Sequence, residues 1–354
     1  MWLAIGGFLV GLIAGAAARY GRLCSMGAIE DALIGGDFRA AKAWGLALAV
    51  AMLGTLGVGR WLGLDFAASV YTSGTLDVAG AVLGGALFGL GMALAGTCSF
   101  GLLVRAGGGD LRAMVSAIVI GISAFAFTAG ALAPVRAMLT GLASVDLEPF
   151  GGPLVSGIAA RAWPQYAAIL AFVIPGAMAV VLIMAAAFDR RLRRRPRLLS
   201  ASVALGCAIA AGWAVTGIAI DALETTRLES LSFVAPVGRA LLQLMSDSLR
   251  EVGFGVASVA GVLLGASTVA LAKDDIRWEA FDDPREMRRH LVGAVLMGLG
   301  GVLARGCTIG QGMSAASVLA ISALLVMLGV VIGAKLGLMF LLEGRSLWRM
   351  ASGR

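Results

Sequence analysis

Cys24-Ser25-Met26-Gly27, Cys98-Ser99-Phe100-Gly101 and Cys307-Thr308-Ile309-Gly310 repeat one frame of cysteine, hydroxyl residue, apolar residue and glycine. The thiol and hydroxyl supply S–H and O–H donors, and the glycine leaves its backbone N–H open to approach. Where such a frame opens a helix, its amide groups and dipole add attraction for an anion. A thiol in apolar surroundings stays neutral and donates weak hydrogen bonds, whereas a thiolate would repel an anion. Three weak sites in series suit conduction, which needs release as well as binding. The frames therefore predict a polar path for a sulfur-containing or thiophilic solute.

Charged neighbours sharpen this reading. Arg22 and Arg305 each lie two residues before a frame cysteine, and Arg105 follows Cys98 by seven. All three could raise the local concentration of an anion, although Arg22 and Arg105 also read as ordinary topology anchors. Cys207 lacks the frame and is expected to be a small buried hydrophobe. With no CxxC pair and His290 as the single histidine, the chain carries neither a zinc signature nor a disulfide scaffold.

The elements that position these residues follow from composition. Of 354 residues, 59% are hydrophobic and 14% charged, against roughly 25% charged in a soluble domain, and the mean hydropathy is +0.93. A spanning helix needs about 20 apolar residues. Nine candidates occur, at 2–18, 43–63, 78–96, 113–134, 165–188, 199–220, 252–272, 290–304 and 314–342. The run Arg190-Arg191-Leu192-Arg193-Arg194-Arg195 marks a cytoplasmic loop, because such loops concentrate Lys and Arg. Counting spans from it puts the N-terminus in the periplasm and the C-terminus in the cytoplasm. Cytoplasmic segments then hold 20 of the 28 Lys and Arg. This positive-inside bias accounts for the net charge of +7, so nucleic acid is not an expected partner. No basic segment precedes residues 2–18, which are expected to stay as a first span and not to be cleaved as a signal peptide.

Sliding the chain on itself by 209 residues aligns Gly84, Gly89, Gly91, Leu94, Ala95, Cys98 and Gly101 with Gly293, Gly298, Gly300, Leu303, Ala304, Cys307 and Gly310. The aligned spans, third and eighth, are an odd number apart, so the copies enter the membrane from opposite sides. That is the inverted-repeat design of many transporters. The expected architecture is an all-α polytopic membrane protein, a single transmembrane domain over 1–354. Its pseudo-repeat halves are 1–188 and 198–354, joined by the Arg-rich loop 189–197. Glycine-rich breaks after the cysteines predict short re-entrant helices, since irregular backbone at membrane depth must be buried or line a wet cavity. Residues 231–245, interrupted by Pro236, predict a short interfacial helix. The loop 273–289, with mixed charges, predicts a solvated connection.

The segments Arg22-Leu23-Cys24-Ser25-Met26-Gly27, Gly89–Gly101 and Arg305-Gly306-Cys307-Thr308-Ile309-Gly310-Gln311-Gly312 resemble the YeeE/YedE family of bacterial inner-membrane thiosulfate transporters over essentially the whole chain. The resemblance implies thiosulfate uptake for sulfur assimilation, with Cys24, Cys98 and Cys307 passing the anion along. Ser25, Ser99, Thr308, Gly27, Gly101, Gly310 and Arg305 complete the candidate binding set. It implies no enzyme activity, cofactor or metal. It allows a small cytoplasmic sulfur-carrier protein as partner beside the lipid bilayer. Two other readings of the residues stay open. Cysteine also suits a soft-metal transporter, and a nucleophilic thiol would suit a membrane enzyme moving sulfur as a persulfide.

Overall fold

The computed structural model describes residues 2–72, 74–141, 143–222, 227–245 and 252–343. The first part of the chain forms α1 (Trp2–Gly21), α2 (Ser25–Leu33), α3 (Arg39–Leu62), α4 (Val78–Ala95), α5 (Ser99–Ala106) and α6 (Leu111–Thr128). The short helices α7 (Ala133–Leu139) and α8 (Val155–Ala162) lead to α9 (Ala167–Ala187), and α10 (Arg190–Arg193) holds the Arg-rich turn. The rest comprises α11 (Pro196–Asp221), α12 (Ala235–Met245), α13 (Phe254–Ala272), α14 (Pro284–Leu303), a π-helical turn at Gly310–Ala315 and α15 (Ile321–Glu343). A small antiparallel ribbon of β1 (Thr75–Asp77) and β2 (Ser144–Asp146) lies beside the start of α4. The protein is an all-α polytopic membrane protein. Among the described residues, eight helical stretches are long and apolar enough to cross a bilayer.

The predicted eighth span is the helix outside those eight. It was expected over 290–304, but α14 starts at Pro284, with the Asp283 carboxylate accepting from the Arg285 N–H and Glu286 in the first turn. Its charged opening lowers the hydropathy of a helix that nonetheless packs its apolar half on α4 and α6. The ninth span, expected over 314–342, is divided. Ser314 donates to the Leu231 carbonyl at 2.8 Å, Ser317 to the Ser314 carbonyl at 2.7 Å, and Leu319 takes a φ of 54°. These bonds hold 314–320 as a turn, and the crossing starts at Ile321.

Lipid offers little hydrophobic drive between helices, so close backbone approach carries the packing. A Cβ at Gly89 would lie 2.1 Å from the Val330 carbonyl oxygen, joining α4 to α15, and one at Gly11 2.2 Å from that of Ser258, joining α1 to α13. The largest enclosed side chains are Trp213, Phe88, Phe100, Phe233 and Phe254. In contrast, α9 is 11% buried over its apolar window and rests mainly on α3 and α8.

Two connections differ from their expected form. The helix α12 starts just before Pro236, which its first turn tolerates, and it packs on α6 and α13 instead of lying free at the interface. The loop after α13 is not simply solvated. Arg277 N–H donates to Gly108 O at 3.1 Å, and Leu111 N–H to Glu279 O at 2.9 Å, so 275–279 forms a strap across the turn between α5 and α6.

Candidate functional site

Each cysteine frame is a helix break followed by a helix start. The helix before it closes through a residue in the left-handed region two positions ahead of the cysteine: Arg22 at φ 53°, Gly96 at 70° and Arg305 at 53°. Leu23 N–H donates to Ala18 O at 3.0 Å and Gly306 N–H to Gly301 O at 2.8 Å. These are the six-to-one bonds of a Schellman closure. Cys24 and Cys98 then sit in extended backbone as N-caps of α2 and α5. In all three frames the sulfur accepts from the N–H of the frame glycine, Gly27, Gly101 or Gly310, at 3.4 Å. The frame is thus a capping motif in which sulfur takes the place usually held by a Ser, Thr, Asp or Asn oxygen.

The glycines differ in necessity. A Cβ at Gly101 would lie 2.1 Å from Thr97 Oγ1, and one at Gly310 2.7 Å from Ser232 Oγ, whereas one at Gly27 would meet only Cys24's own Cβ and Sγ at 3.6 and 3.8 Å. Hydroxyls therefore crowd two of the three capped turns.

The frames meet. Cys24 Sγ lies 3.7 Å from Thr97 Oγ1, and Ser25 Oγ donates to Thr308 Oγ1 at 3.4 Å. The Ser25–Thr308 bond ties the first frame to the third, and the Thr97 contact brings the first beside Cys98. Cys98 and Cys307 are each 1% exposed, and Cys24 is half-buried. Ser99 is also enclosed, and its Oγ has no hydrogen-bond partner among the described residues. An orphaned buried hydroxyl costs about 1–3 kcal/mol, and this one adjoins the Cys98 cap.

Around Cys307 the backbone widens into the π-helical turn, where Ser314 N–H reaches back to Ile309 O at 2.9 Å. Such turns recur at functional sites. Gln311, fully enclosed, donates to the Arg305 carbonyl at 3.5 Å and accepts from Ser322 Oγ at 3.2 Å. Tyr71 donates to the Ser230 carbonyl at 2.5 Å. Burial foremost, and then the charge of Glu229, push its phenol well above the usual range, so it stays a neutral donor.

A profile of the family described as sulphur transport matches residues 20–336. The chain belongs to the sulphur-transport family. This sulphur-transport protein is 24% identical over 323 residues to the thiosulfate transporter TsuA of Escherichia coli (strain K12), covering 87% of the present chain and 86% of that one. It is 25% identical over 338 residues to the thiosulfate transporter TsuA of Spirochaeta thermophila, covering 92% and 96%.

Two unequal cavities flank the meeting point of the frames in this family member. One, of about 590 Å³, is lined by Cys24, Thr97 and Gly101 and by five arginines against three carboxylates. It lies on the face that carries Arg190–Arg197, because Gly21, next to the lining Arg22, packs on that segment: a Cβ there would lie 3.3 Å from the Arg197 carbonyl oxygen. The other, of about 30 Å³, is lined by Tyr71, Asp77, Gln311 and Arg305, and holds little more than a water or two. The protein is open toward the arginine face and tight on the other. Arg305 lines the small cavity and Arg22 the large one.

Sequence reasoning did not single out Thr97, Gln311, Tyr71 or Ser232 as site residues. Thr97 and Gln311 had a signal, since each is a polar residue beside a frame in an apolar stretch. Tyr71 and Ser232 reach the site only through tertiary contact. Cys207 is exposed on the outer surface of the bundle, beside Val50 and Leu53, and not buried as expected.

Proposed function

We propose that this protein carries thiosulfate inward across a bacterial inner membrane, with the anion handed between Cys307, Cys98 and Cys24. The observation that carries the reading is the convergence of three sulfur-capped turns, in which Ser25 bonds Thr308 across two frames and Cys24 meets Thr97 next to Cys98. A thiosulfate oxygen would accept from Ser99 and from the thiols, giving the enclosed hydroxyl an acceptor. Gly27, Gly101 and Gly310 serve by keeping the capped turns compact, and Arg305 by drawing the anion to the tight mouth. Family kinship and the names of both TsuA relatives support the same substrate.

In this reading the halves 1–188 and 198–354 are inverted copies. Support comes from helix bounds that recur at the 209-residue offset: α4 and α5 match α14 and the π-helical turn, and α6 matches α15. The Arg-rich face is cytoplasmic, the N-terminus periplasmic and the C-terminus cytoplasmic. A small sulfur-carrier protein on the cytoplasmic side is a partner that the family resemblance allows.

The test is uptake of labelled thiosulfate into liposomes carrying the purified protein. Cys98→Ala and Cys307→Ala should each reduce uptake severely, excess sulfate should compete weakly, and Cys207→Ala should behave as wild type. Normal transport by all three frame-cysteine variants would remove the thiol path.

A further inference from the structure

The arginines of the large cavity divide into two groups. Arg19 is committed to the strap, donating to the Asp275 carboxylate at 3.1 Å and its carbonyl at 2.7 Å. Arg112 is held by Asp110 at 3.4 Å, Glu286 at 3.2 Å and Glu279. Arg277 lies 3.7 Å from Asp275 and is largely in solvent. Arg22 and Arg105, in contrast, form no ion pair among the described residues, and they line the same cavity as Cys24. Their elements differ: Arg22 follows α1 in the left-handed closure, and Arg105 is on the last turn of α5. Two breaks in the chain thus bring two uncommitted guanidinium groups to the one frame thiol that is partly open.

A topology anchor needs only to reach the membrane interface. It does not need a cavity, a left-handed backbone or a thiol beside it. Arg22 holds a left-handed conformation that is unfavourable for a non-glycine residue, at the position where the Cys98 frame uses Gly96. Lys273 donates to the Tyr20 carbonyl at 3.3 Å, two residues from Arg22, and feels the same positive charge. The ammonium of Lys273 is held below its ordinary value, first by partial desolvation and then by Arg197, Arg22 and Arg19.

We infer that Arg22 and Arg105 form a second anion site, a station for a divalent tetrahedral oxyanion in the large cavity beside Cys24. On the thiosulfate reading, on which its place in the route rests, it is the last stop before release. The strap closes one side of the station, and its Asp275 and Glu279 keep Arg19 and Arg112 from holding the anion too tightly.

The site can be tested without transport by the alkylation rate of Cys24 in a Cys207→Ala background, with a negatively charged and a neutral maleimide. Focusing by a charged cleft raises the encounter rate of an anion by 10-fold or more. In Arg22→Gln/Arg105→Gln the charged-to-neutral rate ratio should therefore fall about tenfold, while the neutral rate, which reports the fold around Cys24, stays unchanged. Sulfate should protect Cys24 in the parent and not in the double variant, against chloride at equal ionic strength. An unchanged ratio and no sulfate protection would overturn the site. A second arm places sulfate on the arginine face of liposomes taking up labelled thiosulfate. Slower uptake in the parent but not in the double variant puts the station on the route of the transported anion. Protection without slowing would overturn its place on that route. Failure of the transport reading itself would show separately, as no uptake by a parent protein whose Cys24 sulfate still protects.

Discussion

Replacing Arg305 by glycine separates backbone from charge. Arg305 adopts φ 53°, closing α14, and its own carbonyl accepts from Gln311 Nε2. The following Gly306 N–H to Gly301 O bond is also main chain. None of these bonds needs the arginine side chain. A non-glycine residue in the left-handed region costs about 1–2 kcal/mol, and glycine costs about 0.5–1 kcal/mol more in chain entropy on folding. Arg305→Gly should therefore be neutral to about 1 kcal/mol stabilising by the same two terms. Its effect on transport should have the opposite sign. A hydrogen bond to a charged group contributes about 1.5–3 kcal/mol; Arg305 is solvent-exposed, which puts the loss near the lower end. At about 1.4 kcal/mol per factor of ten, half-saturation for thiosulfate at the tight mouth should rise about tenfold. The assays are thermal unfolding in detergent and concentration-dependent uptake into liposomes, with Arg305→Lys retaining part of the affinity. A glycine variant that transports as wild type would reduce Arg305 to a helix-closing residue. A variant that unfolds would refute the account of the closure.

Three further outcomes follow from the same geometry. Gly101→Ala should lose about 1–3 kcal/mol through overpacking and much of its uptake, because its Cβ would fall 2.1 Å from Thr97 Oγ1; Gly27→Ala, which meets nothing tight, should be tolerated in the same two assays. Ser99→Ala removes an orphaned buried hydroxyl, so the ligand-free protein should melt at the same temperature or higher while thiosulfate uptake weakens; lower stability would mean that Ser99 has a partner. Asp189 accepts from Lys42 Nζ at 2.7 Å and from the Leu192 N–H, and these bonds hold its carboxyl below the usual range. Their stabilisation is complete above the unfolded value of about 3.9 and is lost as pH falls through the lower folded value. Asp189→Asn keeps the backbone cap but removes the charge, so melting curves of wild type and variant should converge on acidification; a constant gap down to pH 3 would rule out this linkage.

The local parts of the fold were legible because their signals are local. Long apolar runs located α1, α4 and α13 within a few residues, and a frame of four residues located every sulfur cap. The beginning of α14 was also written in the chain, as Asp283, Pro284 and Glu286, but hydropathy hid a start that capping chemistry would have found. The break at 314–320 was harder, since Ser314 is recognisable as a turn-former only once Leu231 stands opposite its hydroxyl. The strap at 275–279 had no local signature at all. Its partners, Gly108–Leu111, lie more than 160 residues away, and mixed charges read as solvated until a specific arginine meets a specific carboxylate. The meeting of Ser25 with Thr308, and of Cys24 with Thr97, was unreadable for the same reason: the frames announce their kinship but not their distances.

The poorly enclosed α9 bears on how such a molecule can change over time. On the proposed inverted arrangement, with α14 counted as a crossing, four crossings among the described residues precede it and four follow, so a chain lacking this single passage would set the second group running the same way as the first, and the sulfur caps of the two groups could not face each other. Yet α9 contributes almost nothing to the interior. Its parity is therefore under constraint while its side chains are nearly free to drift. Replacement of Ala167–Ala187 by an unrelated apolar helix of equal length should be silent, whereas deletion of that helix should abolish the protein.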